Sequence, residues 1–497
     1  MSRSGPLSRG LITVSVMLAT IMHALDMTIA NVALPHMQGS LLATQDQISW
    51  VLTSYIVASA IMTPPTGILA AKFGRKRFFL WSIAGFTAAS MLCGVASSLT
   101  EMVVFRLLQG GCGAALVPIS QAILLDTYPR EKHGSAMAMW GVGVMLGPIM
   151  GPSLGGYLTE LYNWRWVFFI NLPVGIITLI GIAHAVPETP KDPDRGFDVL
   201  GFALLTLAVG TLQLMLDRGE VVGWFESTEI VIEAGVMALC FYAFIAHSLT
   251  ADRPFLDPRL FRDRSFVTGA LLMFVINLAL LSTLALLPAF LQGLLGYPII
   301  DTGNVLAPRG IGTMCAMILV GRLSGKVDGR WLIGIGLSLA TVSMWEMSTF
   351  SQDVSPTTIA LSGLLQGFGF GLVFVPLSTV TFSTLAPELR TEGAAFFSLV
   401  RNIGSSIGVS LMMALLSQGK QMHRSHLVEH VTPFSPMLRE APEAWNPETA
   451  SGLARLSAEV TFQADLLAYL GDFRMLMVIT LLPLPLLFLL RPPPRRS

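Results

Sequence analysis

Apolar runs recur along this chain with short polar interruptions. They fall at about 11–34, 48–71, 78–98, 102–125, 135–158, 164–185, 198–217, 228–250, 265–291, 302–325, 331–350, 357–382, 392–417 and 472–490. Each is on the order of 20 residues, which lets a helix cross a hydrocarbon core roughly 30 Å thick. The pattern predicts an all-α, polytopic membrane protein with fourteen transmembrane helices. Two interruptions break the rhythm. The charged, proline-containing stretch Pro187 to Asp198 separates six spans from the rest, and the long polar stretch 418–471 precedes the last span. Within that stretch Leu453, Leu456, Val460, Leu467 and Leu470 stand at approximate helical spacing, which predicts an amphipathic helix over the outer mouth or against a partner.

An internal repeat organises these spans. Leu107-Leu108-Gln109-Gly110-Gly111-Cys112-Gly113 in the fourth recurs as Leu364-Leu365-Gln366-Gly367-Phe368-Gly369-Phe370 in the twelfth, each followed by a proline, Pro118 or Pro376. The motif from Gly67 to Lys72 is echoed from Gly321 to Lys326. The expected architecture is two six-helix bundles, 1–186 and 265–497, related by an axis along the membrane normal, with two inserted helices and a linker in 187–264. Basic residues collect in alternate loops: Lys72, Arg75, Lys76 and Arg77; Arg130 and Lys132; Lys191 and Arg195; Arg253, Arg259, Arg262 and Arg264; Lys326, Arg330, Arg390 and the tail. The positive-inside rule then puts both termini in the cytoplasm.

Composition agrees with a membrane protein: 53% of residues are hydrophobic and only 12% charged, with a mean hydropathy of +0.65. The formal net charge is zero, so no bulk field invites nucleic acid. Cys93, Cys112, Cys240 and Cys315 stand singly in apolar spans, without metal-site or redox spacing. The basic, apolar N-terminus runs past Asp26 without a cleavage pattern and reads as a retained first span. No phosphate loop, zinc-protease motif or nucleophile elbow occurs, and no cofactor is expected.

The few charges inside spans carry the chemistry, because an unneeded charge at that depth is costly. Asp26 lies near mid-depth in the first span with His23 on the same face. It suits a proton-coupling carboxylate, or else a structural partner of an arginine or helix end. Arg106 and Gln109 lie one turn apart in the fourth span, above Gly110 and Gly113. If Asp26 is the partner of Arg106, the pair forms a charge switch; the alternative is a permanent clamp on backbone carbonyls. Gly143, Gly147, Gly151 and Gly155, with Pro148 and Pro152, bare one face of the fifth span for close helix packing. Arg309, Glu346, Arg401 and Asn402 are further intramembrane polar groups, Glu346 lying where a snorkelling role is equally open. His23, Gln109, Gln366, Phe370, Arg401 and Asn402 are candidate cavity residues.

These motifs resemble a known family. Leu25-Asp26-Met27-Thr28-Ile29-Ala30-Asn31-Val32-Ala33-Leu34-Pro35 is similar to the first-span signature of the fourteen-span drug:proton antiporters in the major facilitator superfamily. Arg106 to Gly113 resembles the fourth-span motif, Gly147-Pro148 to Gly155-Gly156 the fifth-span antiporter motif, and Trp164 to Gly175 the start of the sixth span. Gly67, Lys72, Gly74, Arg75 and Lys76 resemble the cytoplasmic loop motif, with Ala71 where an acidic residue is usual. Met215 to Gly219, Trp224-Phe225, Met422-His423 and Pro433-Phe434 look like the EmrB-type inner-membrane exporters. The resemblance implies proton-coupled export of lipophilic or amphipathic drugs, with Asp26 carrying the proton and Arg106 modulating it. It also implies a periplasmic membrane-fusion adaptor of the EmrA type and an outer-membrane TolC-like channel. Two other readings stay open: a stand-alone exporter of one metabolite, such as a siderophore, fatty acid or amino acid, and a membrane sensor without turnover.

Overall fold

A computed structural model describes residues 6–129, 132–189, 196–251, 254–323, 326–386, 389–431, 445 and 449–490. Helices carry the whole architecture. Those of the first half are α1 (Pro6–Ser40), α2 (Trp50–Met62), α3 (Thr66–Phe73), α4 (Arg75–Val95), α5 (Leu99–Gly113), α6 (Leu116–Thr127), α7 (His133–Leu161) and α8 (Asn171–Ala185). The inserted pair is α9 (Val199–Val222) and α10 (Thr228–Thr250). The second half holds α11 (Arg264–Ala289), α12 (Ile299–Leu323), α13 (Gly329–Met347), α14 (Pro356–Ser383), α15 (Arg390–His430) and α16 (Ala450–Leu481).

Among the described residues, eleven helices are long and apolar enough to cross a membrane. The bent pair α2–α3 makes a twelfth. The bend, 58°, falls at the dipeptide Pro64-Pro65, where two backbone donors are missing. Thr63 and Thr66 donate their hydroxyls to the Ser59 and Thr63 carbonyls, both at 2.6 Å, and so fill part of the gap.

In the first half α1 packs on α7 and α8, and α2 on α5; in the second, α14 packs between α12 and α13, and α11 against α15. The halves meet where α7 lies on α12 and α14, and where α3 and α6 touch α15. Helix α9 bridges them, packing on both α2 and α15. Its ends are tied: Asp198 caps the Gly201 amide at 2.9 Å and also holds His247 of α10 and the Phe255 amide, while Asp217 accepts a hydrogen bond from Thr53 of α2.

In the stretch 418–471, expected as a long loop carrying an amphipathic helix, the described residues are largely helical. Helix α15 runs unbroken for 41 residues, about 60 Å at 1.5 Å per residue and roughly twice the hydrocarbon thickness. Helix α16 returns beside it for 32 residues, so both continue past the apolar segments as an antiparallel hairpin. Lys420 pairs with Asp465 at 3.2 Å, and Gly419 lies against Ala468. Leu456, Leu466 and Tyr469 are buried, whereas Leu453 and Leu467 face outward. Met422 and His423 lie on α15. Pro433 and Phe434 fall outside the described residues, as do Arg130, Lys191, Arg195, Arg253 and the tail arginines. The last apolar segment also differs from one continuous helix. After Leu481 the chain passes Pro483 into a 3-10 turn, Leu484–Leu489.

Candidate functional site

The site grows from the packing of α1, α5 and α8. The glycine ridge of α7 lies against α1: a Cβ on Gly147 would stand 2.5 Å from the Ala24 carbonyl carbon, and one on Gly151 would overlap the Thr28 hydroxyl. Thr28 Oγ1 in turn donates to the Gly147 carbonyl at 3.0 Å. Gly143 and Gly155 continue the ridge against Met17 and Ile29. Pro148 and Pro152 lie within α7, and their side chains are outside the described residues. This contact fixes α1 at the depth of Asp26. From the other side, Gly110 lets α5 approach so closely that a Cβ would strike the Tyr55 carbonyl.

Between these helices Asp26 is fully buried and surrounded by donors. Arg106 Nη1 donates to Oδ2 at 2.7 Å; Gln109 Nε2 and Asn171 Nδ2 donate to Oδ1 at 2.8 and 3.0 Å. Arg106, equally buried, donates through Nε to the Val51 carbonyl at 3.1 Å and through Nη1 to Gln109 Oε1 at 2.9 Å. Its plane lies 4.7 Å from the centre of the Tyr55 ring and 5.3 Å from that of Phe168. Arg106 Nη2 has no hydrogen-bond partner among the described residues. The sequence reading of an Asp26–Arg106 pair and that of an arginine holding a backbone carbonyl therefore describe one and the same arrangement. Chemically, the Asp26 carboxylate accepts from three donors, so a proton placed on it has to be accommodated by an amide turning or a partner leaving.

Four participants were not singled out from the sequence: Asn171, Ser90, Tyr55 and Phe168. Asn171 also donates to Ser90 Oγ at 3.0 Å, and Ser90 donates to the Phe168 carbonyl at 2.9 Å. The sequence signal was the place of Phe168 and Asn171 within the Trp164 to Gly175 motif. His23 does not touch Asp26. Its Nδ1 pairs with the Tyr55 hydroxyl at 2.9 Å, one residue removed from Arg106.

Among the described residues, the repeat-related node in the second half shows no acid. Gln366 donates to Thr283 Oγ1 at 3.4 Å while its Oε1 is unpartnered among the described residues, and Arg309 donates to the Leu280 carbonyl at 3.1 Å. Gln366 and Phe370 are fully buried in this packing. Glu346 lies in the last turn of α13. Asp472 of α16 is a further buried carboxylate, with Oδ2 unpartnered among the described residues; it lay at the very edge of the expected last span.

At the end bearing the basic loop, Asp126 accepts from Arg75 at 2.5 Å and from Arg390 of the opposite half at 3.4 Å. Gly67 meets the backbone of Glu392, and Glu392 accepts from the Asp257 amide at 2.6 Å. Gly74 sits at φ +89° with Glu188 against its Cα, where a side chain would be both strained and crowded. Lys76 donates to the Ala183 carbonyl at 2.6 Å. Lys72, in the last turn of α3, is the basic residue of that helix end. Asp126 thus supplies, from α6, an acidic partner that the Ala71 position lacks.

Between the halves lies a narrow cleft lined by Met137, Trp140, Val144, Met145, Met317, Phe374, Ser378 and Arg401 among others. Of the six candidate cavity residues only Arg401 lines it. Gln109 belongs to the Asp26 node, Gln366 and Phe370 to the helix packing, His23 to the Tyr55 contact, and Asn402 is half-buried beside Arg401 on α15.

A family model described as Major Facilitator Superfamily matches residues 16–409. The chain is 38% identical over 430 residues to the Multidrug export protein EmrB of Escherichia coli (strain K12), covering 86% of this chain and 84% of that protein. It is 34% identical over 501 residues to the Probable multidrug resistance protein EmrY of the same strain, covering 99% and 98%. The crystal structure of the human organic anion transporter MFSD10 (TETRAN) superposes with a TM-score of 0.63 at 15% identity, over 96% of this chain and 100% of that one, a likeness of fold.

Proposed function

Because the chain belongs to the Major Facilitator Superfamily and is a multi-pass multidrug-efflux transporter, not an enzyme, we propose that it exports lipophilic or amphipathic compounds across the inner membrane in exchange for protons. The observation that carries this is Asp26, a buried carboxylate held by Arg106, Gln109 and Asn171. Protonation removes the counter-charge of Arg106 and breaks up a shell that ties α1, α5 and α8 to the Val51 carbonyl of α2. A carboxylate so placed converts proton binding into a change in helix packing.

Both termini lie in the cytoplasm in this reading, so the contact of Asp126 with Arg75 and Arg390 closes the cytoplasmic end in the present state. Moving one charge through 100 mV supplies about 2.3 kcal/mol, which sustains nearly a 50-fold gradient before any pH difference is added. The α15–α16 hairpin then projects into the periplasm, where its reach suits a membrane-fusion adaptor of the EmrA type, itself joined to a TolC-like outer-membrane channel.

Proteoliposomes with an imposed pH gradient test the proposal. Accumulation of a lipophilic probe against its own gradient is expected, abolished by an ionophore that equalises protons. Probe movement no greater than in protein-free vesicles, or insensitive to the ionophore, contradicts it.

A further inference from the structure

Arg401 is the cation of the inter-half cleft. It lines the cleft from α15 beside Met137, Trp140, Met145, Met317 and Phe374, with Ser378 the other polar side chain of the lining. No hydrogen bond or ion pair engages its guanidinium among the described residues, in contrast to Arg106, Arg75 and Arg390, each of which meets a carboxylate. The charge faces across the interface, since Met137, Trp140 and Met145 of α7 in the opposite half line the same cleft. A guanidinium held in membrane-depth surroundings without a counter-charge is costly, and its five donors in a planar fork match a carboxylate, sulfonate or phenolate. The walls suit the rest of such a molecule. Methionines adapt to varied shapes. Trp140 is pinned from behind by its indole N–H, which donates to Thr20 at 3.2 Å, and so presents a fixed aromatic surface to the cleft.

We propose that Arg401 is the anion-recognising group of the transport cavity, and that the substrates handled there are amphiphiles joining an apolar body to a single negative charge. The inference rests on the exporter reading and deepens it by naming a charge class. Neutral and cationic amphiphiles have the same walls but no partner for Arg401, so they bind with the guanidinium still uncompensated.

The test uses two probes with one ring system, 1-anilinonaphthalene-8-sulfonate and the uncharged N-phenyl-1-naphthylamine. Fluorescence titrations are made with the full chain in phosphatidylcholine nanodiscs, after subtracting empty discs. The wild type should bind the sulfonate more tightly than the neutral probe. Arg401→Gln should weaken the sulfonate by about tenfold or more and leave the neutral probe within about twofold, which also shows the variant to be folded. Arg401→Lys, retaining the charge without the fork, should recover most of the loss. The proposal is overturned if the wild type shows no preference, if Arg401→Gln binds the sulfonate as the wild type does, or if it loses both probes alike. Gradient-driven export without anion preference would remove this inference and leave the exporter reading standing; anion preference without gradient-driven export would do the reverse.

Discussion

Arg106 Nη1 lies 2.7 Å from Asp26 Oδ2 with neither side chain reaching solvent, and the same nitrogen also donates to Gln109 Oε1 at 2.9 Å. An ion pair buried this deeply is dangerous to halve. Removing one partner typically costs about 3–5 kcal/mol, whereas replacing both often costs little. Asp26→Asn should therefore lower the thermal midpoint of the purified protein clearly, and Asp26→Asn with Arg106→Gln should recover most of it. A double variant as unstable as the sum of the singles would mean the two side chains are not coupled.

Asn171 supplies one of the three donors to the carboxylate and ties it to Ser90. Asn171→Leu keeps approximate volume and removes both bonds. A hydrogen bond to a charged group is worth about 1.5–3 kcal/mol. The expected outcome is transport slowed on the order of tenfold, with probe binding to the cleft unchanged; turnover equal to wild type would reduce Asn171 to a bystander.

Gly147 and Gly151 face the α1 backbone and Thr28 with no room for a side chain. Leucine at either must push α1 away from α7, and overpacking of this kind costs about 1–3 kcal/mol or more. Both variants should show reduced transport and lower thermal midpoints. Leucine at Gly156, where a Cβ meets nothing within 4 Å, should be tolerated. Normal activity with leucine at Gly147 would contradict the packing assigned to the ridge.

The α15–α16 hairpin invites a deletion. Removing equal lengths from both arms beyond Lys420 and Asp465, which pair at 3.2 Å, should leave proteoliposome transport largely intact and abolish drug resistance in cells. Loss of transport in liposomes, with the adaptor still co-purifying, would make the hairpin a lid instead.

The all-helical membrane fold and the Asp26–Arg106 contact were legible in the sequence because each rests on a local signal. Apolar runs mark long helices, and a lone charge at depth needs a partner. The hairpin was hidden because a helix leaving the bilayer loses its apolar run without ending, so α15 and α16 read as a loop with a helix inside it. Asn171 and Tyr55 were hidden for another reason: an amide or a phenol in a span carries no alarm, and only the crossing of α1, α2, α5 and α8 brings Asn171 to Asp26 and Tyr55 to Arg106. The contact of Asp126 with Arg75 and Arg390 was half visible. Arg75 and Arg390 stand out as basic residues, but Asp126, at the end of a span, reads as an ordinary helix terminus until Arg390 of the other half reaches it.

The central claim is that Asp26 carries the exchanged proton. Its most direct measure is proton release on substrate binding, followed with a pH-sensitive dye in weakly buffered detergent solution. Addition of a transported compound to the wild type should release protons in proportion to protein, and Asp26→Asn should bind the compound while releasing none. Proton release from Asp26→Asn equal to that of the wild type would contradict the account.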